Sequence, residues 1–188
     1  MACVPRANVV RVPERHAPVM RKQGSLSATL DVIVGFHDVD MAQVVWHGHY
    51  LKYLENARWA LMERIGFGLE AMSAAGYSWP IVELHVKYVQ AARFGDRLSV
   101  RASLTEWHNR LVVNYLVTRN TGQAGAADHV VERVARAQTV QVAVDARSGA
   151  LRFAAPQVLL ERVEAAVRDA SARDATARAD TGRSGQSG

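Results

Sequence analysis

Between Leu30 and His37, apolar and polar side chains alternate, with Leu30, Val32, Val34 and Phe36 set against Asp31, Gly35 and His37. A period of two predicts a strand with one better-buried face. After a connection from Asp38 to Gly48 the period changes. Tyr50, Tyr53, Leu54, Ala57, Ala60, Leu61 and Ile65 recur at three and four, with Lys52, Glu55, Arg58 and Glu63 between them. This predicts an amphipathic helix of about five turns, stopped by Gly66 and Gly68.

Only strand patterns follow. Val82, Leu84, Val86 and Tyr88 face one way in 81–89, and Phe94-Gly95-Asp96 makes a turn. Leu98, Val100, Ala102 and Leu104 then alternate with Arg97, Ser99, Arg101, Ser103 and Thr105. His108-Asn109 marks another turn, a strand spans 111–119, and a long strand runs from Val130 to Val144. After the turn 145–149, Pro156 to Val167 reads as a short terminal helix. One strand, one long helix and four strands on short turns imply antiparallel pairing and an α+β fold, the sheet curling around the helix. Such a sheet leaves edge strands exposed, and pairing two copies is one way to protect them.

Composition adjusts this picture at the ends. The chain has 188 residues, 49% of them hydrophobic, enough for one domain with a real core. Cys3 is its only cysteine, so no intramolecular disulfide or cysteine zinc site is available. No apolar run approaches the roughly 18 residues of a membrane span. The first residues are basic and broken by proline, unlike a signal peptide, so a cytoplasmic protein is expected. The net charge of +5 is uneven: residues 1–27 carry +4, 168–188 carry +1, and 28–167 are neutral. This argues against a basic nucleic-acid face on the fold. The expected division is a basic extension over 1–27, a domain over 28–167, and a disordered tail over 168–188 that lacks large apolar residues.

Common catalytic signatures are missing. There is no GxSxG elbow. The Gly66-Phe67-Gly68-Leu69-Glu70-Ala71 run follows a helix, not a strand, and reads as a helix stop. His47-Gly48-His49 has no third ligand at helpful spacing, so no metal is expected. The segment from Phe36 to Tyr50 is more informative, with Asp38 and Asp40 just past a strand and a helix beginning seven to ten residues later. A helix N-terminus offers unpaired N–H groups able to hold an oxyanion. A carboxylate opposite could attack a carbonyl or activate water, or could simply satisfy loop N–H groups.

The stretch F-x-D-x-D-x-A-x-V-V-W-H-x-x-Y, followed by Y-L-E-N-A-R, resembles the hotdog-fold acyl-CoA thioesterases, especially the 4-hydroxybenzoyl-CoA and Tol-Pal-associated types. The likeness runs from about Ala28 to Val163 and includes Pro80-Ile81-Val82, the turn 92–98 and Glu106-Trp107. It implies a hotdog fold, in which a five-stranded antiparallel sheet wraps a long central helix. It also implies an acyl-CoA substrate, no cofactor, and a homodimer or homotetramer. Asp40 falls on the family's catalytic carboxylate and His47 on the residue whose backbone N–H meets the thioester oxygen. Glu55 falls on an acidic position near the acyl pocket, and Arg110 in the basic turn that meets the CoA phosphates. The two arginines that precede that position in the 4-hydroxybenzoyl enzyme are His108 and Asn109 here. Trp46, Trp59 and Trp79 either line an acyl pocket or pack in the core. His49 and His85 stay unassigned. Rival readings are a hotdog dehydratase drafting His47 and Glu55, and a binding protein without turnover.

Overall fold

The computed structural model describes residues 26–120 and 131–183. Its elements are β1 (Leu26–Ile33), α1 (Tyr50–Arg64), α2 (Leu69–Ala74), β2 (Tyr77–Ser78), β3 (Ile81–Tyr88), β4 (Arg97–Glu106), β5 (Leu111–Asn120), β6 (Val131–Gln141), β7 (Ala143–Asp145), β8 (Leu151–Arg152) and α3 (Gln157–Arg183). Five strands form one sheet in the order β1-β4-β5-β6-β3, every neighbouring pair antiparallel. Thus β4, β5 and β6 make a central meander, and β1 and β3 become the two edges.

The alternation in β4 sets its burial directly, with Leu98, Val100, Ala102 and Leu104 all buried. Tyr50, Tyr53, Leu54, Ala57, Leu61 and Ile65 bury the predicted face of α1 in the same core, where the helix lies against β1 and β4. Arg58, a polar-face position by sequence, is only 6% exposed because Gln141 and Glu55 pair it inside the fold.

Several boundaries differ from the sequence reading. The short helix α2 was hidden because six residues carry too little periodicity. The long strand expected up to Val144 breaks at Val142, beyond which β7 joins β2 and β8 in a separate three-stranded sheet. Phe36 leaves the strand pattern for a helical turn over Phe36–Asp38 and is 80% exposed. The helix that opens the tail continues through α3 to Arg183, so the segment from Arg168 is not disordered that far. Its Ala and Arg residues have high helix propensity, and Ala170 still packs against the core. Residues 184–188 lie outside the described residues, as do 1–25 of the basic extension, while Leu26 and Ser27 open β1.

Candidate active site

The polypeptide between β1 and α1 contains a small hydrogen-bonded hairpin. Val39 bridges Val45, Asp40 N–H donates to Val44 O at 2.9 Å, and Trp46 N–H donates to Asp38 O at 2.9 Å. At its tip, Gln43 N–H reaches Asp40 O at 2.9 Å and the Asp40 carboxylate accepts from Ala42 N–H at 2.8 Å. The tip closes only with Gln43 in the left-handed region, at φ 59°. The second strand of this hairpin is docked on the turn before β4, through Val45 N–H to Ala92 O at 2.8 Å and a Val44–Arg93 bridge. Gly95 holds that turn at φ 83°, a conformation glycine adopts at no steric cost.

The two aspartates have separate environments. Asp38 is 5% exposed and accepts Gly35 N–H at 3.0 Å. His37 and His49 each place a ring nitrogen 3.6 Å from its carboxylate, and the buried Tyr53 hydroxyl faces it without reaching full hydrogen-bond geometry. Burial works to raise the Asp38 carboxyl, but Tyr53, the Gly35 N–H and the two histidines outweigh it and hold the group below its ordinary value. Asp38 is therefore a structural anion. His49 Nδ1 sits 3.0 Å from Asp38 O, an acceptor, so Nδ1 carries the proton in that contact.

Asp40, in contrast, is exposed. It forms part of the wall of an open pocket of about 620 Å³ whose other lining residues are Phe36, Val39, Met41, Gln43 and Phe94. The Phe36 and Phe94 rings meet edge to face at 6.1 Å, and Phe36, Met41 and Phe94 are all largely exposed. Among the described residues the Asp40 carboxylate forms no ion pair; its Oδ1 accepts Ala42 N–H, and the side chain faces a pocket lined mainly by apolar groups.

The hairpin runs straight into the helical turn His47–His49 and then α1. The first N–H groups of such a segment have no partner within the helix, and its dipole favours negative charge there. His47 is exposed, with its carbonyl accepting from Tyr88 Oη at 2.9 Å. Trp46 is 45% exposed, its ring 4.8 Å from that of His47 and 5.2 Å from that of His49. The indole also covers Gly48 so closely that a Cβ there would fall 2.1 Å from Cζ3. Trp46 thus lies at the surface beside the helix head, whereas Trp79 is buried and Trp59 is packed partly into the core.

Glu55 lies two turns further along α1, both carboxylate oxygens engaged by the Nε and Nη2 groups of buried Arg58. Arg58 in turn donates from Nη1 to Gln141 Oε1 at 2.8 Å and stacks 5.1 Å over the Trp59 ring. Arg110 is not brought to this region within one chain. It sits in the turn after β4, paired with Glu106 at 3.1 Å, while the Asp40 hairpin adjoins the other end of that strand. At about 3.4 Å per residue, ten strand residues separate the two by roughly 30 Å. The sequence reading missed Arg58 because its spacing placed it among solvated charges, and it left His49 without a partner.

The antiparallel sheet in this strand order is joined to a hairpin bearing Asp38 and Asp40 that leads into a helix with one buried face. Residues 34–164 match the thioesterase-like superfamily, and the chain belongs to it. Among curated relatives, it is 32% identical over 83 residues to the putative esterase sll0410 of Synechocystis, spanning 40% of this chain and 50% of that one. It is 27% identical over 82 residues to the acyl-CoA thioester hydrolase YbgC of Escherichia coli, spanning 44% and 61%. These alignments thus span half and about three-fifths of the relatives' lengths. Among solved structures, the 4-hydroxybenzoyl CoA thioesterase of Pseudomonas sp. strain CBS-3 superposes with a TM-score of 0.62 at 25% identity, over 73% of this chain and 99% of that one. No helix among the described residues is long and apolar enough to cross a membrane.

Proposed function

We propose that the protein hydrolyses acyl-CoA thioesters to a carboxylate and free CoA, on a hotdog fold whose central helix is α1. The observation that carries this reading is the contrast between the two aspartates: Asp38 is tied into the fold, while Asp40 is exposed in an apolar pocket. In the reaction, Asp40 either attacks the thioester carbonyl carbon, forming a mixed anhydride that water then cleaves, or takes a proton from the attacking water. In both routes the carbonyl oxygen becomes an oxyanion, met by the N–H of His47 at the helix head. The C–S bond then breaks, and the departing CoA thiolate takes up a proton. Trp46 flanks that position and Glu55 borders the acyl side, held by Arg58. The same clamp weighs against the dehydratase alternative, since both Glu55 oxygens are already engaged.

The working unit is a homo-oligomer in the cytoplasm. Strand β3 is an edge whose apolar Ile81, Val82, Leu84 and Tyr88 are all exposed, three of them on the face that the sequence pattern aligned. A second copy adding its own β3 would pair the open edge and cover these side chains. A second copy is also the source from which an Arg110 contact to CoA phosphates could come. The test is thiol release from benzoyl, 4-hydroxybenzoyl, short-chain and palmitoyl CoA by wild type and Asp40→Asn. Loss of about 10²- to 10⁴-fold in the variant, at unchanged fold, is the expected outcome; equal kcat in the two proteins would sink the assignment.

A further inference from the structure

We propose that Arg119 is a positioning residue for the Asp40 hairpin, acting through the turn at 91–96; the catalytic part of this inference rests on the hydrolase reading above. Arg119 lies near the end of β5, opposite Leu98 of β4 and Glu132 of β6. Its guanidinium bridges two carboxylates, with Nη1 2.6 Å from Asp96 Oδ2 and Nη2 2.6 Å from Glu132 Oε2. Nη1 also donates to Ala91 O at 3.2 Å, so the fork grips both ends of the turn.

From that grip a continuous set of contacts leads to the hairpin. Asp96 Oδ2 also accepts Arg93 N–H at 2.8 Å, and Asp96 N–H donates to Arg93 O at 3.1 Å, closing the turn. Ala92 and Arg93 then carry Val45 and Val44, and Val44 O holds Asp40 N–H. A second route leaves Asp96 through its carbonyl, which accepts Val34 N–H at 2.9 Å, while Gly95 N–H donates to Val34 O at 3.0 Å. Val34 is the residue from which the chain enters the Phe36–Asp38 turn. Both strands of the hairpin are therefore registered on one turn, and that turn is gripped by one cation. A planar fork suits this task because it satisfies two carboxylates and a carbonyl in fixed directions, as an ammonium cannot. None of these partners belongs to the hydrophobic cluster between α1 and the sheet, except Val34, Val45 and Ala92, which stay anchored by their own burial.

The experiment compares wild type, Arg119→Gln and Arg119→Lys as full chains in two arms. Amide hydrogen exchange is read over 36–46 against α1 and β4–β5, and steady-state thiol release is read with benzoyl-CoA and palmitoyl-CoA. For Arg119→Gln we expect faster exchange confined to 36–46 and a kcat lower by about ten- to a hundredfold with KM within about twofold, the signature of a misplaced catalytic group. Arg119→Lys should recover part of both, since it can reach Asp96 but not bridge to Glu132. Wild-type exchange over 36–46 in Arg119→Gln overturns the proposal whatever the activity. So does faster exchange spread evenly over the domain, which marks a general stabiliser. So does locally faster exchange with unchanged kcat. No thiol release from wild type overturns the hydrolase reading instead, and the exchange arm then decides the positioning role alone. Should Arg119→Gln not fold, Asp96→Asn, which keeps an acceptor for Arg93 N–H, is read in the same two arms with the same criteria.

Discussion

Replacing Asp38 by Asn tests whether the buried aspartate is a structural anion. The carboxylate is 7% exposed and accepts the Gly35 N–H at 3.0 Å, with His37 and His49 at 3.6 Å and the Tyr53 hydroxyl facing it. A hydrogen bond to a charged group contributes about 1.5–3 kcal/mol, and a neutral one about 0.5–1.5. Asn keeps one acceptor for Gly35 but turns a donating NH₂ toward the hydroxyl and ring donors, so the net loss is about 1–3 kcal/mol. In a domain of this size that lowers Tm by roughly 3–10 °C. The sign with pH follows from the direction of the shift. The folded carboxyl lies below its ordinary 3.8, so its contribution is fully present above that value and is lost as pH falls through the folded pKa. Differential scanning calorimetry of both proteins from pH 7 down to 3 should show the wild-type advantage at neutrality and its shrinkage in acid. Turnover should fall far less than in Asp40→Asn, because the Asp38 carbonyl that holds Trp46 N–H is retained. Equal melting at pH 7, or a gap that widens in acid, would refute the reasoning.

Two further substitutions probe neighbouring features. Gly48→Ala places a methyl 2.1 Å from the Trp46 ring, which must swing away because it is the exposed partner. We expect a stability loss of about 1–3 kcal/mol, an altered tryptophan emission and weaker turnover, and an unchanged spectrum would show that the contact is not felt. Leu84→Lys puts a charge on the open β3 edge, where Leu84 is 40% exposed. Light scattering should show the wild type as an oligomer and the variant as a smaller species, and a monomeric wild type would remove the second-copy interface.

The sheet was legible where alternation and burial coincide, as in β4, and the core face of α1 was legible from its three-and-four spacing. Legibility failed where tertiary context overrides a local pattern. Strand β3 reads as one-faced, yet its position at the sheet edge leaves Val82, Leu84 and Tyr88 exposed. Arg58 reads as a solvated charge until Gln141, 83 residues away in sequence, arrives to pair it. Spacing could nominate Asp38 and Asp40 together but not separate them. Only the fold, through Tyr53 and Gly35, makes one of them structural, and the family resemblance alone pointed to the other. Arg119 carried no signal at all, since its two carboxylate partners lie 23 and 13 positions from it.

The strand order also sets a timetable for synthesis. The N-terminal part of a chain emerges first, and a domain folds as a unit once enough of it is available. Among the described residues β1 pairs only with β4, and β3 only with β6. The segment bearing Asp38, Asp40 and the head of α1 therefore leaves the ribosome with no sheet to dock on. Tyr88, whose hydroxyl holds the His47 carbonyl, is not itself anchored until Ala135 is available as its register partner. A nascent chain stalled before Val131 would carry Asp40, His47 and Glu55, but neither the strand that registers Tyr88 nor the Gln141 that pairs Arg58.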